Sequence, residues 1–464
     1  MARMARRSTG LAGLAALPAL SESRRLRLYG FFLMYFSQGV PFGLVQVAIP
    51  AWLVANGASA GQVGFFIGTA MLPWSLKLLN GLVMDRFCYS PMGRRRAWIV
   101  GSQVAMMAAL LVTAIIAPGP DQIALLAGLA FAFNLCGAVN DVAIDGVAVD
   151  ILPEDEREKV NGFMMGGQVI GISGTAIMAG AALVAGGIAL AAMLAAAIVA
   201  VLTIVVILLR ERPGERLLPW TAGSASAECL AREHTKFLPI LGQVLRGLVQ
   251  WRSALFLAGV GIIASSAGMV DVVAPVFSVA ELGWSSEAFT NFSSISGFCV
   301  AIAVMVVIGP LCRRFDNRII FVLFASVMLL PNLAVYLAPQ GTFGTLAMQA
   351  YIILFWGGFQ GVVVLFIAWM MNLTNPAVAA SQFALFMAIP NFVRSLGAGG
   401  HGQIVDHYGY DAAFLVAAGS VAVGVGLCLL AGYGRLETIR TPGSANPSLD
   451  PAAMPGVPAG AVIS

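Results

Sequence analysis

Asn140-Asp141-Val142-Ala143-Ile144-Asp145 closes a run, Ile123 to Val139, that is almost wholly apolar. Two carboxylates four residues apart lie on one helical face, because 3.6 residues complete a turn. Ionised in hydrocarbon they would be costly, so they must meet a partner, water or a substrate path. The stretch therefore reads as the end of a membrane-spanning helix whose acids have a task.

The rest of the chain extends that reading. Of 464 residues 59% are hydrophobic and only 10% charged, where a soluble domain carries about 25% charged. Mean hydropathy is +0.88. Apolar runs of about 20 residues recur, as in a polytopic helical membrane protein. The net charge of +4 is no nucleic-acid signal in such a chain; the placement of its charges matters more. None of the six cysteines forms a C-x-x-C pair, which argues against disulfides and structural zinc.

Twelve spans are expected, at 28–54, 61–84, 97–117, 122–150, 161–184, 188–209, 253–279, 289–311, 319–338, 344–372, 380–403 and 411–433. All but two of the 26 Lys and Arg fall in alternate loops and tails on one side. The positive-inside rule makes that side, with both termini, cytoplasmic. The basic start of the chain, with Leu11 to Leu20, reads as a cytoplasmic, partly amphipathic tail rather than a signal peptide. The domains follow: a tail at 1–27, a six-helix bundle at 28–209, a charged connector at 210–252, a second bundle at 253–433 and a disordered tail at 434–464. Phe237 to Trp251 is expected to form an interfacial helix.

The two bundles repeat weakly. Gly81 to Phe87 matches Gly309 to Phe315, and Ile49-Pro50 through Ser59 matches Ala274-Pro275 through Ser285. Parallel repeats of six spans are the plan of the major facilitator superfamily. The loop Gly81…Asp85-Arg86…Gly93-Arg94-Arg95-Arg96 resembles that superfamily's signature between spans two and three. Gly81 is expected to allow close helix approach, and Asp85 to pair with arginines such as Arg86, Arg94 and Arg95 that gate the cytoplasmic side.

Candidate chemistry lies with ionisable residues inside spans. Asp141 and Asp145 repel one another in a poorly hydrated site, and such a pair titrates jointly. It suits proton coupling, or else forms structural ion pairs. Lys77 and Asp141 lie at similar depth, so they can pair if spans two and four are neighbours. An anionic substrate could break that pair at Lys77. Arg394 keeps its charge and needs an anion, either a substrate carboxylate or an aspartate. Asp271, deep in span seven, is a second proton or substrate site or the partner of Arg394. Gln38, Trp74, Asn134, Gln360 and Asn391, with Gln168 and Trp356, can line a cavity for sugar and amide groups or serve helix packing. Gly39 to Gly43 and Pro73 should weaken their helices locally. His401 and His407 read as solvated loop residues. Nucleotide loops, nucleophile elbows and metal-ligand motifs do not occur in the sequence, which disfavours ATP-driven transport, hydrolytic chemistry and a metal site.

Several of these segments resemble the AmpG-type muropeptide permeases, a family within the superfamily. They are Gly93-Arg94-Arg95-Arg96-Ala97-Trp98, Lys77 to Phe87, Asn140 to Asp145 with Asp150-Ile151-Leu152-Pro153, Ser381 to Leu385, Asp271 and Arg394. The family has Gln-Asp where this chain has Asn140-Asp141. The resemblance covers roughly 28–433. It implies import of anhydro-muropeptides for peptidoglycan recycling, driven by proton flow without a cofactor, across a bacterial inner membrane. It carries Lys77, Asp141, Asp145, Asp271 and Arg394 over as functional positions. Similar proteins take up siderophores and more distant ones handle acetyl-coenzyme A, so a siderophore is the alternative cargo. The expected surroundings are lipid bilayer and a small solute, with the chain a monomer and no nucleic acid bound. A non-transporting membrane enzyme or receptor is the alternative from another class.

Overall fold

The computed structural model describes residues 18–231, 242, 250–338, 343–373 and 379–432. The expected interfacial helix at 237–251 falls mostly outside these residues, as does the tail from 434 on. Among the described residues every regular element is helical. We label the long segments α1 (Arg24–Ala55), α2 (60–86), α3 (Arg96–Ile116), α4 (Ile123–Ile151), α5 (157–185), α6 (188–208), α7 (Trp251–Glu281), α8 (Ser286–Arg314), α9 (Asn317–Leu337), α10 (Thr345–Leu373), α11 (379–408) and α12 (410–430).

Nine continuous helices among the described residues are long and apolar enough to cross a membrane. Two of these are the joined pairs α5–α6 and α11–α12. The first pair leaves helical geometry at Gly186 and Gly187, the second at Gly409, with φ +64° at Gly187 and +81° at Gly409. Only glycine adopts such a backbone without steric cost, so the chain can turn there with no loop. Segment α2 is interrupted instead by a 3-10 turn, Leu72–Leu76, at Pro73. In α1 a π-helical stretch, Gly43–Ala48, follows Pro41. Both weak points lie where proline removes a backbone donor.

The repeat seen in sequence is also structural. Ser59 caps α2, accepting from the Gln62 N–H, and Ser285 caps α8, accepting from the Ala288 N–H at 3.0 Å. Each cap follows a glycine of positive φ, Gly57 at +88° and Gly283 at +69°. Each preceding helix ends through a π-helical stretch or close to one.

Polarity is arranged inside out. Ile115, Val201, Val306 and Leu330 face outward, while Gln38, Gln103, Asn134 and Asn140 are fully buried. A bilayer rewards this arrangement, because apolar side chains cost nothing in lipid and polar ones find partners only between helices. Segment α7 is the most enclosed, with 83% of its apolar window buried.

The chain ends of the first bundle meet on one face, called here the terminal face. There the start of the connector is folded into the bundle, not a simple linker. The Glu211 carboxylate accepts the backbone N–H groups of Arg94, Arg95 and Arg96 at 3.0, 2.9 and 2.6 Å, capping α3. The buried Arg96 guanidinium donates to the Arg216 and Leu217 carbonyls at 2.6 and 2.8 Å and to that of Ile207. Leu20 and Ser21 pair with the Arg210 and Glu211 carbonyls. Arg27 grips Glu156 with two bonds of 2.7 Å. Helix α1 thus begins at Arg24, and residues 19–22 pack against the connector instead of trailing from it.

On the opposite face the two bundles touch. A Cβ on Gly61 or Gly64 of α2 would collide with Asp406 or with the Ala398 carbonyl of α11, and one on Gly68 would come within 2.8 Å of the Ser395 carbonyl. Ser173 of α5 donates to the Ser294 carbonyl of α8 at 3.0 Å. His401, further along α11, is 5% exposed, with Nδ1 2.8 Å from the Gly397 carbonyl. The expectation of a solvated loop histidine fails because α11 continues two turns past 401. His407 is exposed as expected.

Candidate functional site

The first bundle builds its site from α1, α2, α4 and α5. Asp141 of α4 is 3% exposed and forms an ion pair with Lys77 of α2. The two residues meet at the common depth expected of them, and the break at Leu72–Leu76 starts a fresh helix at Lys77. The other carboxylate oxygen accepts from Gln38 Nε2 of α1. The Gln38 carbonyl in turn accepts from Gln168 Nε2 of α5 at 2.8 Å. Three helices thus converge on one carboxylate. Their register is held by glycine, since a Cβ on Gly39 would come within 2.6 Å of the Gln168 carbonyl.

Asp145 lies one turn nearer the terminal face and is exposed there. It accepts from the Tyr35 hydroxyl. Helices α1 and α4 run antiparallel, so Tyr35 and Gln38, three apart, meet Asp145 and Asp141, four apart, in the same order of depth. Sequence reasoning missed Tyr35, although its spacing from Gln38 carried the signal. Among the described residues, the ion pair joins Lys77 to the enclosed Asp141, while the second carboxylate, Asp145, is open to solvent.

Trp74 completes the wall. Lys77 Nζ stands 5.1 Å from its ring, a cation–π distance, and Phe42 packs on it at 4.4 Å. Its indole N–H donates to Asn134 Oδ1 at 3.2 Å, and the Asn134 amide donates to the Ala130 carbonyl at 3.0 Å. Asn134 is buried behind Trp74, so it supports the ring and does not line a cavity. Behind Asp141, Gln103 donates to the Ser37 hydroxyl at 3.0 Å, and Ser102 to Asn140 Oδ1 at 3.3 Å.

The second bundle holds a simpler site. Arg394 of α11 grips Asp271 of α7 in a fork, Nε to Oδ2 at 2.9 Å and Nη2 to Oδ1 at 3.0 Å. This bidentate geometry is the strong form of the arginine–carboxylate pair. The guanidinium carbon lies 5.5 Å from the Trp356 ring and 5.6 Å from that of Phe359, both on α10. Asp271 is buried, while the Arg394 side chain keeps 22% of its surface. Gln360 and Asn391 are half-buried nearby in sequence. Among the described residues neither side chain bonds to an ion pair; the Asn391 carbonyl accepts from Ser395 at 3.1 Å.

The loop between α2 and α3 departs from expectation at Gly81. A Cβ on Gly81 would meet only Val142, at 3.7 Å, which is ordinary contact, so no close approach depends on this glycine. Arg86 is exposed, and the Asp85 side chain lies outside the described residues. Arg94 and Arg95 are half-buried, and Arg95 lies against α4 at Gly146, where a Cβ would come within 2.8 Å of its Nε. In this run the backbone goes to Glu211, the Arg96 side chain to carbonyls of the connector, and the Arg95 side chain lies at the end of α4. Among the described residues no group of His, Cys, Asp and Glu could hold a metal ion.

Comparison with known proteins places this geometry. A family model described as the Major Facilitator Superfamily matches residues 31–398. The anhydromuropeptide permease of Escherichia coli (strain K12) is 31% identical over 124 residues, 26% of this chain and 24% of that protein. An uncharacterized protein of Haemophilus influenzae is 31% identical over 121 residues, 26% of this chain and 28% of its own. These alignments span about a quarter of the curated relatives' length. Among solved structures, the nucleoside transporter NupG superposes with a TM-score of 0.65 at 15% identity, covering 88% of this chain and 99% of that one. The peptide transporter POT in complex with alafosfalin gives 0.65 at 14%, covering 92% and 99%. At such identities the likeness is one of fold.

Proposed function

Because the chain belongs to the Major Facilitator Superfamily, we propose that it is a proton-coupled importer working by alternating access of its two bundles. It is a multi-pass membrane transporter of a small solute, and not an enzyme. In our reading the twelve segments all cross a bacterial inner membrane with the terminal face in the cytoplasm. The charge asymmetry of the loops supports that orientation.

The observation that carries the proton coupling is the imbalance in the first bundle, where Lys77 pairs with Asp141 and a second carboxylate, Asp145, lies one turn away. One cation neutralises one carboxylate. The second can hold a proton that entered from the opposite face and release it at the terminal face, without leaving a bare charge in the membrane. Asp141 is the enclosed member that Lys77 and Gln38 hold, and Asp145 is the member in touch with water. Binding of an anionic solute at Lys77 would release Asp141 and favour its protonation. The two charges would then cross together.

The cargo we propose is an anhydro-muropeptide. The partial likeness to the Escherichia coli permease supports it. So does the chemistry of the second site, where a guanidinium flanked by Trp356 and Phe359 offers a carboxylate partner beside flat apolar faces for a sugar ring. Purified protein in proteoliposomes tests both parts. An imposed proton gradient should drive accumulation of labelled anhydro-muropeptide, and unlabelled muropeptide should compete where a ferric siderophore does not. Equal uptake with and without the gradient would remove the coupling, and competition by the siderophore alone would change the cargo.

A further inference from the structure

The face away from the termini is held by a contact between bundles that the ion-pair sites do not use. Asp406, in the last turn of α11, accepts from the Ser59 hydroxyl at 2.7 Å and from the Gly61 backbone N–H at 2.9 Å. Both donors belong to the first turn of α2. Helix N-termini leave backbone donors without intrahelical partners and carry partial positive charge. The local capping box of α2 uses the Ser59 and Gln62 side chains. The Gly61 donor goes to a carboxylate from the other bundle instead.

The approach needs glycine. At Gly61 a Cβ would collide with Asp406 and come within 2.6 Å of Gln403 Nε2, and Gly402 on α11 is likewise pressed against the Ala60 carbonyl. Gly61, Gly64 and Gly68 share one face of α2 at helical spacing, and Ser395, Ala398, Gly402 and Asp406 share the facing side of α11. Beside the contact lies an open cleft of about 410 Å³ lined by Gln62, Phe65, Ile123 and Gln403 among others. Water therefore reaches the contact, and when it breaks every group involved can be rehydrated.

We propose that Asp406 is a latch, a positioning residue that holds this face shut by capping α2 from across the bundle interface. The proposal rests on the alternating-access reading above. Opening towards this face must separate α2 from α11, and the carboxylate cap is the polar part of what must be undone. The apolar glycine seam alone would hold the face with less directional preference. The latch therefore sets how often the transporter opens away from the terminal face.

The test reads opening without any cargo. In a chain whose six cysteines are replaced, Ser395→Cys puts a reporter in the seam, 4% exposed when the face is shut. A membrane-impermeant thiol reagent is added to sealed vesicles from the side the opposite face looks into. Asp406→Ala should speed labelling roughly fivefold or more, the shift that loss of a helix cap produces. Asp406→Asn should have a smaller effect and Ser59→Ala a smaller one again. Asp411→Asn, exposed at the start of α12, should leave the rate unchanged. Equal rates in the parent and both Asp406 variants would overturn the latch and leave alternating access standing. No labelling in any variant, together with failure of the proteoliposome assay, would overturn both.

Discussion

The two basic residues that the sequence places deep in its spans, Lys77 and Arg394, both meet an aspartate, yet the two pairs differ in kind. Arg394 and Asp271 form a closed, balanced fork between aromatic rings. Lys77 and Asp141 sit in a network with two glutamines, and a second carboxylate, held by Tyr35, lies one turn away. A guanidinium stays charged, so in the balanced fork any proton has to go on Asp271, and only after Arg394 has left it. The unbalanced site has a carboxylate to spare. On the proposed function, the difference puts proton movement in the first bundle and gives the second bundle the aromatic-flanked solute anchor.

The largest expected effect tests that division. Asp141→Asn should lower proton-driven uptake at least a hundredfold while the protein still inserts, as measured in energised vesicles. Asp271→Asn should lower it far less and act through solute affinity. A loss of coupling in Asp271→Asn equal to that in Asp141→Asn would merge the two roles. Next in size is Arg394→Lys, which keeps the charge but loses the fork. We expect about tenfold weaker solute binding by calorimetry, with the proton dependence of uptake intact. Arg394→Ala should also destabilise the fold by about 3 kcal/mol, because it strands Asp271 buried and unpaired. A thermal melt reads that loss.

Tyr35→Phe is a finer probe. It removes the hydroxyl that Asp145 accepts and leaves the ring in place. Uptake should fall a few-fold, with its pH profile displaced and the Lys77–Asp141 pair unaffected. An unchanged profile would make Tyr35 a packing residue. The smallest effect lies outside the spans, at the terminal face. Burial, and then the charge of Glu211, raises the Glu215 carboxyl from its ordinary 4.5 to about 7. The folded chain then holds a proton that the unfolded chain releases above 4.5. This group's contribution is fully present below pH 4.5 and is lost as the pH rises to about 7. Glu215→Gln should flatten the fall in thermal stability between pH 5 and 7.5. An unaltered slope would show that the connector does not close over this residue.

Much of the frame was legible because bilayers impose simple rules. Runs of apolar residues set the helix limits, and the turns at Gly187 and Gly409 fall between the expected spans. Counting depth from the loop was enough to pair Lys77 with Asp141. Pro73 and the stretch from Gly39 to Gly43 marked weak helix in advance, and the structure has a 3-10 and a π-helical turn there or directly after. What escaped was contact across long sequence separations. Glu211 meets the backbone of the arginine loop more than a hundred residues away, and nothing in a charged connector announces a carboxylate aimed at amides. Nor does the sequence single out Asp406, whose partner is the start of a helix in the other bundle. Gly81 misled in the opposite direction: a motif glycine suggested close packing, and its surroundings leave ordinary room.

The most direct test separates exchange from accumulation in proteoliposomes that carry Asp141→Asn. Solute counterflow needs the bundles to move but needs no proton. Uphill accumulation needs the carboxylate. The variant should exchange labelled anhydro-muropeptide at close to the parent's rate and fail to concentrate it under an imposed proton gradient. Accumulation at the parent's level would contradict the carboxylate's role.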